Sequence, residues 1–180
     1  MLTERYPRAL TYSAGIHVWH HSVGEGSIAD LLSTSALVLQ ATGDEDLAIA
    51  ALVHDAVDAC GGAGRIADLR ARFGDRVAAT VAGCSLPDDE AWQASRTQRE
   101  RLGARLELLS AADADALVVL VAVATVEARA LAAVGPAQRA RDDPRADYLA
   151  ASRLVVRERP LPTVLAFAFD QAVDGLHTTV

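Results

Sequence analysis

The sequence predicts an all-α fold, one helical bundle covering residues 1–180 as a single domain. Three observations predict it. Apolar residues recur at three- and four-residue spacing, with no sustained strand-like alternation and no internal repeat. The chain is 51% hydrophobic but only 4% aromatic, so its core must be assembled mainly from Ala, Leu and Val, and Ala and Leu lead the helix propensities. Glycines and prolines such as Gly43, Gly61, Gly62, Gly74 and Pro160 fall between the apolar segments, where they end helices.

Each element follows from a local signal. A first helix is expected over 7–21, with Pro7 in its first turn, and Ser22-Val23-Gly24-Glu25-Gly26 is a loop. Ser27 can cap a second helix that runs to Thr42 and is stopped by Gly43. A third is expected over 45–60, stopping at Gly61-Gly62. Shorter helices follow over 65–73 and 75–82, with Gly74 between them, then a loop over 86–90. An arginine-rich helix is expected over 91–109, and Ser110 or Asp113 can cap a central apolar helix ending near Gly135-Pro136. Residues 139–144 are charged and loop-like, and helices over 145–157 and 162–176 close the chain.

Composition excludes several functions. All 17 basic residues are Arg and none is Lys, so Schiff-base catalysis and a phosphate-binding Lys are ruled out. A net charge of −7 without a basic stripe argues against nucleic acid as a partner. Cys60 and Cys84 lack metal-ligand spacing, and no signal peptide is present, so a reduced cytoplasmic setting is expected. The apolar run 116–126, interrupted by Glu127 and Arg129, is about half the length needed to span a bilayer. It reads as a buried core helix, and no membrane association is expected.

The chemistry concentrates in Ala50-Ala51-Leu52-Val53-His54-Asp55-Ala56-Val57-Asp58-Ala59, where an adjacent His-Asp pair stands among apolar residues. Burying an imidazole beside a carboxylate costs several kcal/mol unless a metal or hydrogen bonds compensate. Asp58 lies one turn after His54, so it could orient the imidazole as the acid of a dyad, or form a plain i, i+4 pair. His17, His20 and His21 cluster at the end of the first helix. Their spacing suits metal ligation, and equally a helix C-terminus, where a protonated His is favourable. Arg96, Arg99, Arg101 and Arg105 read as a solvated helix face.

The order of these helices, together with two sequence blocks, resembles the HD superfamily of metal-dependent phosphohydrolases. The likeness is nearest to the small alarmone hydrolases, which remove pyrophosphate from guanosine tetraphosphate. The blocks are the stretch from Gly43 through Ala50-Ala51-Leu52-Val53-His54-Asp55, and Arg72-Phe73-Gly74-Asp75-Arg76-Val77 with Val81-Ala82-Gly83-Cys84-Ser85. Trp92 and the segment 148–153 add to it. The resemblance implies four ligands around one divalent metal: a His on the second helix, the His-Asp pair and a distal Asp. Here the first position falls on Asp30 and the last on Val123. Of the family's acidic pair after His-Asp only Asp58 remains, beside Ala59, and the basic phosphate-holding residues correspond to Ser22-Val23. Glu127 replaces a substrate-facing Asn, Arg129 matches a family Arg, and the end of the first helix borders the pocket, which makes His17, His20, His21, Glu127 and Arg129 candidate substrate contacts.

These readings lead to an enzyme repurposed for acid–base chemistry on a small organic molecule. His54 is its base, Asp58 the orienting partner, and Asp30 or Asp55 the acid. No cofactor is expected, beyond a divalent Mn, Fe, Zn or Mg held weakly by His54, Asp55 and Asp30. A residual metal-dependent phosphohydrolase using those three residues, and a non-catalytic binding or scaffolding protein, are the alternatives. A small-molecule ligand is the expected partner, and the composition allows a homo-oligomer.

Overall fold

A computed structural model describes residues 2–19, 27–57, 62–86, 95–134 and 143–176. These residues form nine α-helices and no strand. In chain order they are α1 (Arg5–Trp19), α2 (Ile28–Thr42), α3 (Glu45–Val53), α4 (Gly62–Phe73) and α5 (Asp75–Cys84), then α6 (Gln98–Ala111), α7 (Ala114–Val134), α8 (Pro144–Arg157) and α9 (Thr163–Asp174).

Caps set most of the boundaries. Ser27 and Asp30 form a reciprocal capping box at α2, which satisfies two amides that the first turn leaves without partners. Gly43 ends α2 in the left-handed conformation, φ 67°, where a Cβ would be strained. Asp44 caps α3 through the amides of Asp46 and Leu47. Thr97 and Glu100 form a second capping box, so the helix expected from residue 91 starts instead at Gln98. Asp113 takes the cap of α7 by accepting from the Ala116 amide at 2.9 Å, whereas Ser110 donates back to Leu106 within α6.

Two helices make the core. Every residue of α3 from Leu47 to Val53 is buried, as is every residue of α7 from Ala116 to Val126. α3 packs against α1, α2, α5 and α7, while α7 also meets α2, α5, α6, α8 and α9. By length and composition α7 is apolar enough to cross a membrane, with a mean hydropathy of 2.2. Its enclosure by six other helices is what a core helix shows. Each fully buried Leu or Ile here contributes about 1.5–3 kcal/mol over its exposed state.

Three contacts fix how the helices align. Thr3 donates to Glu45 and Arg5 to Asp46, at offsets of 42 and 41 residues, so α1 and α3 start at the same end and run the same way. Ser35 of α2 is completely buried. It donates to the Ala48 carbonyl at 2.8 Å and accepts from the Tyr6 hydroxyl at 2.8 Å. The short α2–α3 connection makes that pair antiparallel. Arg76 of α5 bonds Asp44 at 2.7 Å and Asp115 at 2.7 and 3.0 Å, placing the start of α7 beside the start of α3.

Candidate functional site

α3 ends at Val53 rather than continuing to residue 60. His54 is its C-cap and still has helical backbone angles, φ −62° and ψ −32°. Residues 54–55 make a turn, and 56–57 resume helical geometry. The side chain supplies a reason for the stop. His54 Nδ1 lies 2.9 Å from the Ala51 carbonyl oxygen, so the imidazole takes over an acceptor that the next turn of amides would otherwise fill. A carbonyl oxygen only accepts, so this bond places the proton on Nδ1. In the neutral ring Nε2 then carries the lone pair, ready to act as a base or a ligand.

The helix alignment gathers several other residues at the level of His54. With the α1–α3 offset of 41 to 42 residues, Ser13 falls at the level of His54 and Asp55 along the helix axes. Counting back along the antiparallel α2–α3 pair from the Ser35–Ala48 bond brings Asp30 to within about 1.5 Å of the same level. Val123 follows the Asp44–Arg76–Asp115 junction by about 12 Å along α7, and His54 follows it by about 15 Å along α3. His54, Asp55 and Asp30 are half-buried, and Val123 is buried. The pair therefore sits at the boundary of the core rather than inside a sealed cavity.

The sequence-level candidates separate on inspection. Asp30 Oδ2 accepts from the Ser27 amide at 2.9 Å and the Ser27 hydroxyl at 3.0 Å, so this carboxylate is the acid of a capping box. Glu127 faces Arg105 of α6 at 2.8 Å, and the Arg105 guanidinium lies over the Tyr148 ring at 5.3 Å. The carboxylate expected among the substrate contacts is thus neutralised across helices. Burial pushes the Tyr148 phenol up from its ordinary value; nearby Arg105 lowers it and Glu127 raises it. Arg129 is exposed and lines a shallow depression with Ala132 and residues of α9. Asp58, His20 and His21 lie outside the described residues, as do Ser22 and Val23. His17 belongs to α1, but its ring lies outside the described side chains.

The arginine run is engaged structurally: Arg96 pairs with Glu100, Arg99 with Asp147 and Arg105 with Glu127. One polar group near the pair escaped the sequence reading. Ser13 is 2% exposed and its hydroxyl has no hydrogen-bond partner among the described residues. Other helical hydroxyls, among them Thr34, Thr80, Thr125 and Ser152, bond the carbonyl four residues back. Ser13 does not, which leaves an unsatisfied buried donor. The only signal in the sequence was a hydroxyl on the apolar stripe of α1, between Ala9 and His17.

Among the described residues, the four-ligand divalent site that the resemblance implies does not fit the donor set. Val123 offers no donor atom, and Asp30 is held by Ser27. Among the described residues no three His, Cys, Asp or Glu side chains gather to hold an ion.

Comparison with known proteins places this geometry. A family model described as HD domain matches residues 9–145. A solved structure described as a metazoan ortholog of SpoT that hydrolyzes ppGpp aligns with a TM-score of 0.72 at 21% identity, over 98% of both chains. That of lmo0812 from Listeria monocytogenes EGD-e aligns with a TM-score of 0.61 at 20% identity, over 81% of this chain and 99% of the other. Identities this low speak for the fold alone. Among curated proteins nothing matches.

Proposed function

The chain belongs to the HD domain family, and from that premise we propose that it acts by acid–base chemistry on a small organic molecule, with His54 as the base. The single observation that supports this most is the His54–Ala51 bond. It holds the imidazole in one tautomer and leaves Nε2 as the acceptor. That is the orienting arrangement a general base needs, supplied here by a backbone carbonyl. Asp58, the orienting partner expected from the sequence, keeps that role only as a proposal.

The remaining roles follow from which groups are already engaged. Asp30 caps α2 through Oδ2, so the acid role passes to Asp55, adjacent to the base in sequence. Hydrolysing a pyrophosphate requires charge neutralisation by a metal and a cationic clamp. The ligand position at Val123 is aliphatic, and Arg96, Arg99 and Arg105 are paired with carboxylates. A neutral or weakly charged molecule matches these surroundings better than a polyphosphate does. The protein is expected to act in the cytoplasm, without nucleic acid or membrane as partner.

A metabolite screen read by thermal shift, followed by activity assays on its hits, tests the reading. Compounds that stabilise the wild type should be turned over by it, and His54→Gln should retain the fold while losing that turnover. Gln keeps much of the volume but cannot exchange a proton near neutral pH. A His54→Gln protein with full activity would end the catalytic reading. Wild-type hydrolysis of guanosine tetraphosphate with Mn at about 1 per second or faster would instead favour the metal-dependent phosphohydrolase and end the repurposed reading.

A further inference from the structure

The seam between α1, α2 and α3 holds two polar layers, and one of them is closed. There Ser35 donates to the Ala48 carbonyl and accepts from the Tyr6 hydroxyl, both at 2.8 Å. Each helix contributes one group and both hydroxyl hydrogens are used. The second layer lies about 8–10 Å further along the three axes. Counting on from Tyr6, Ala48 and Ser35 reaches Ser13, His54 and Asp30 respectively. Ala9 and Ser13, one turn apart, are the fully buried residues of α1 among those described. They therefore mark the face of α1 that packs on α3 and α2. His54 is turned to the Ala51 carbonyl and the Asp30 carboxylate to Ser27. The Ser13 hydroxyl has no hydrogen-bond partner among the described residues.

A buried donor without an acceptor opposes folding. The ready remedy in a helix is the carbonyl four residues back, which Thr34 of α2 and Ser152 of α8 take. Ser13 does not take it, so its hydrogen stands available to a ligand. The layer selects that ligand's chemistry. A donor is satisfied by an acceptor oxygen, and a carbonyl supplies one without bringing a further hydrogen that would need its own partner. Asp30 and Asp55, both half-buried at this level, repel an anion. Val123 of α7, close to the same level, is aliphatic and buried.

We propose that Ser13 is the specificity-determining contact of the site, donating to the carbonyl oxygen of a small neutral substrate: a ketone, amide or ester. The inference rests on the reading of His54 as the base and adds the class of compound on which that base acts.

Cyclohexanone titrated to about 50 mM into isotope-labelled protein, followed by NMR, tests it. The wild type should bind with a Kd of about 1–10 mM, and the largest shifts should fall at the amides around Ser13 and His54. Ser13→Ala should stay folded and bind roughly tenfold more weakly. Cyclohexanecarboxylate, a similar ring carrying a negative charge, should bind the wild type roughly tenfold more weakly than the ketone. A wild type that ignores cyclohexanone at the top of the titration overturns the proposal. So does a Ser13→Ala protein that binds it as well as the parent, or a carboxylate that binds as tightly as the ketone. Binding is read here without turnover, so these outcomes stand apart from the His54→Gln activity test, whose failure would leave the Ser13 effect in place.

Discussion

The two ends of α3 treat their polar groups in opposite ways. At the N-terminal end Asp44 caps the helix and also takes Arg76, which reaches on to Asp115. Glu45 takes Thr3, and Asp46 takes Arg5. Charges and hydroxyls there are matched to one another and tie α1, α3, α5 and α7 together. At the C-terminal end the His54 ring bonds, among the described residues, a local carbonyl through Nδ1, and Ser13, at about its level along α1, is buried without a hydrogen-bond partner among them. The first end looks optimised for stability. The second holds polar groups that packing alone does not account for, which is the usual mark of a site.

The contrast makes Asp44→Ala the most damaging of these substitutions. It removes a cap from two amides and one partner of a bridging Arg, and should lower unfolding stability by about 2 kcal/mol in denaturant titration. A loss under about 0.5 kcal/mol would mean the junction is ornamental.

Ser13→Ala should move stability the other way. Deleting an unsatisfied buried hydroxyl removes its desolvation penalty, so the ligand-free protein should gain about 1 kcal/mol. If the site reading holds, that gain should come with weaker stabilisation by any compound found in the thermal-shift screen. A Ser13→Ala protein less stable than the parent would show that the hydroxyl has a partner after all.

The smallest effect is in acid. Burial pushes the Asp44 carboxyl up, but hydrogen bonds from Arg76 and from the Leu47 and Asp46 amides outweigh it and hold the group below its ordinary 3.8. Asp68 is likewise lowered: burial raises it, and the bonds from Arg72 and Tyr12 more than offset this. A depressed carboxyl contributes stability that is complete above its unfolded value and is lost as pH falls through the folded one. The stability gap between wild type and Asp44→Asn should therefore be constant from neutral pH down to about 4 and close below it. A gap that persists at lower pH would assign it to packing.

Most of the bundle was legible because its signals are local. Ser27, Gly43, Gly74 and the apolar run of α7 each marked a boundary or a core that the structure reproduces. The fold class and the HD likeness were readable from the residues and agree with the family match. Three boundaries were not: the helix expected from residue 65 starts at Gly62, and two others differ. Thr97-Gln98-Arg99-Glu100 is a capping box inside a helix expected to be longer, and α3 stops because a side chain caps a carbonyl, which apolar periodicity does not register. The site was harder for a related reason. Asp30 reads from the sequence as a ligand position or an acid, while the Ser-x-x-Asp pattern that makes its carboxylate the acid of a capping box went unread. Glu127 read as a substrate contact because its partner, Arg105, lies 22 residues away on another helix. Ser13 stood out only once its neighbours were known.

The central claim is that the HD fold persists here without its four-ligand metal centre. Titrating Mn²⁺ into metal-free protein by calorimetry addresses it directly. With Val123 at one ligand position and Asp30 held by Ser27, saturable binding should be weaker than about 100 µM or undetectable. One ion bound per chain more tightly than that, and lost in His54→Gln, would contradict the account.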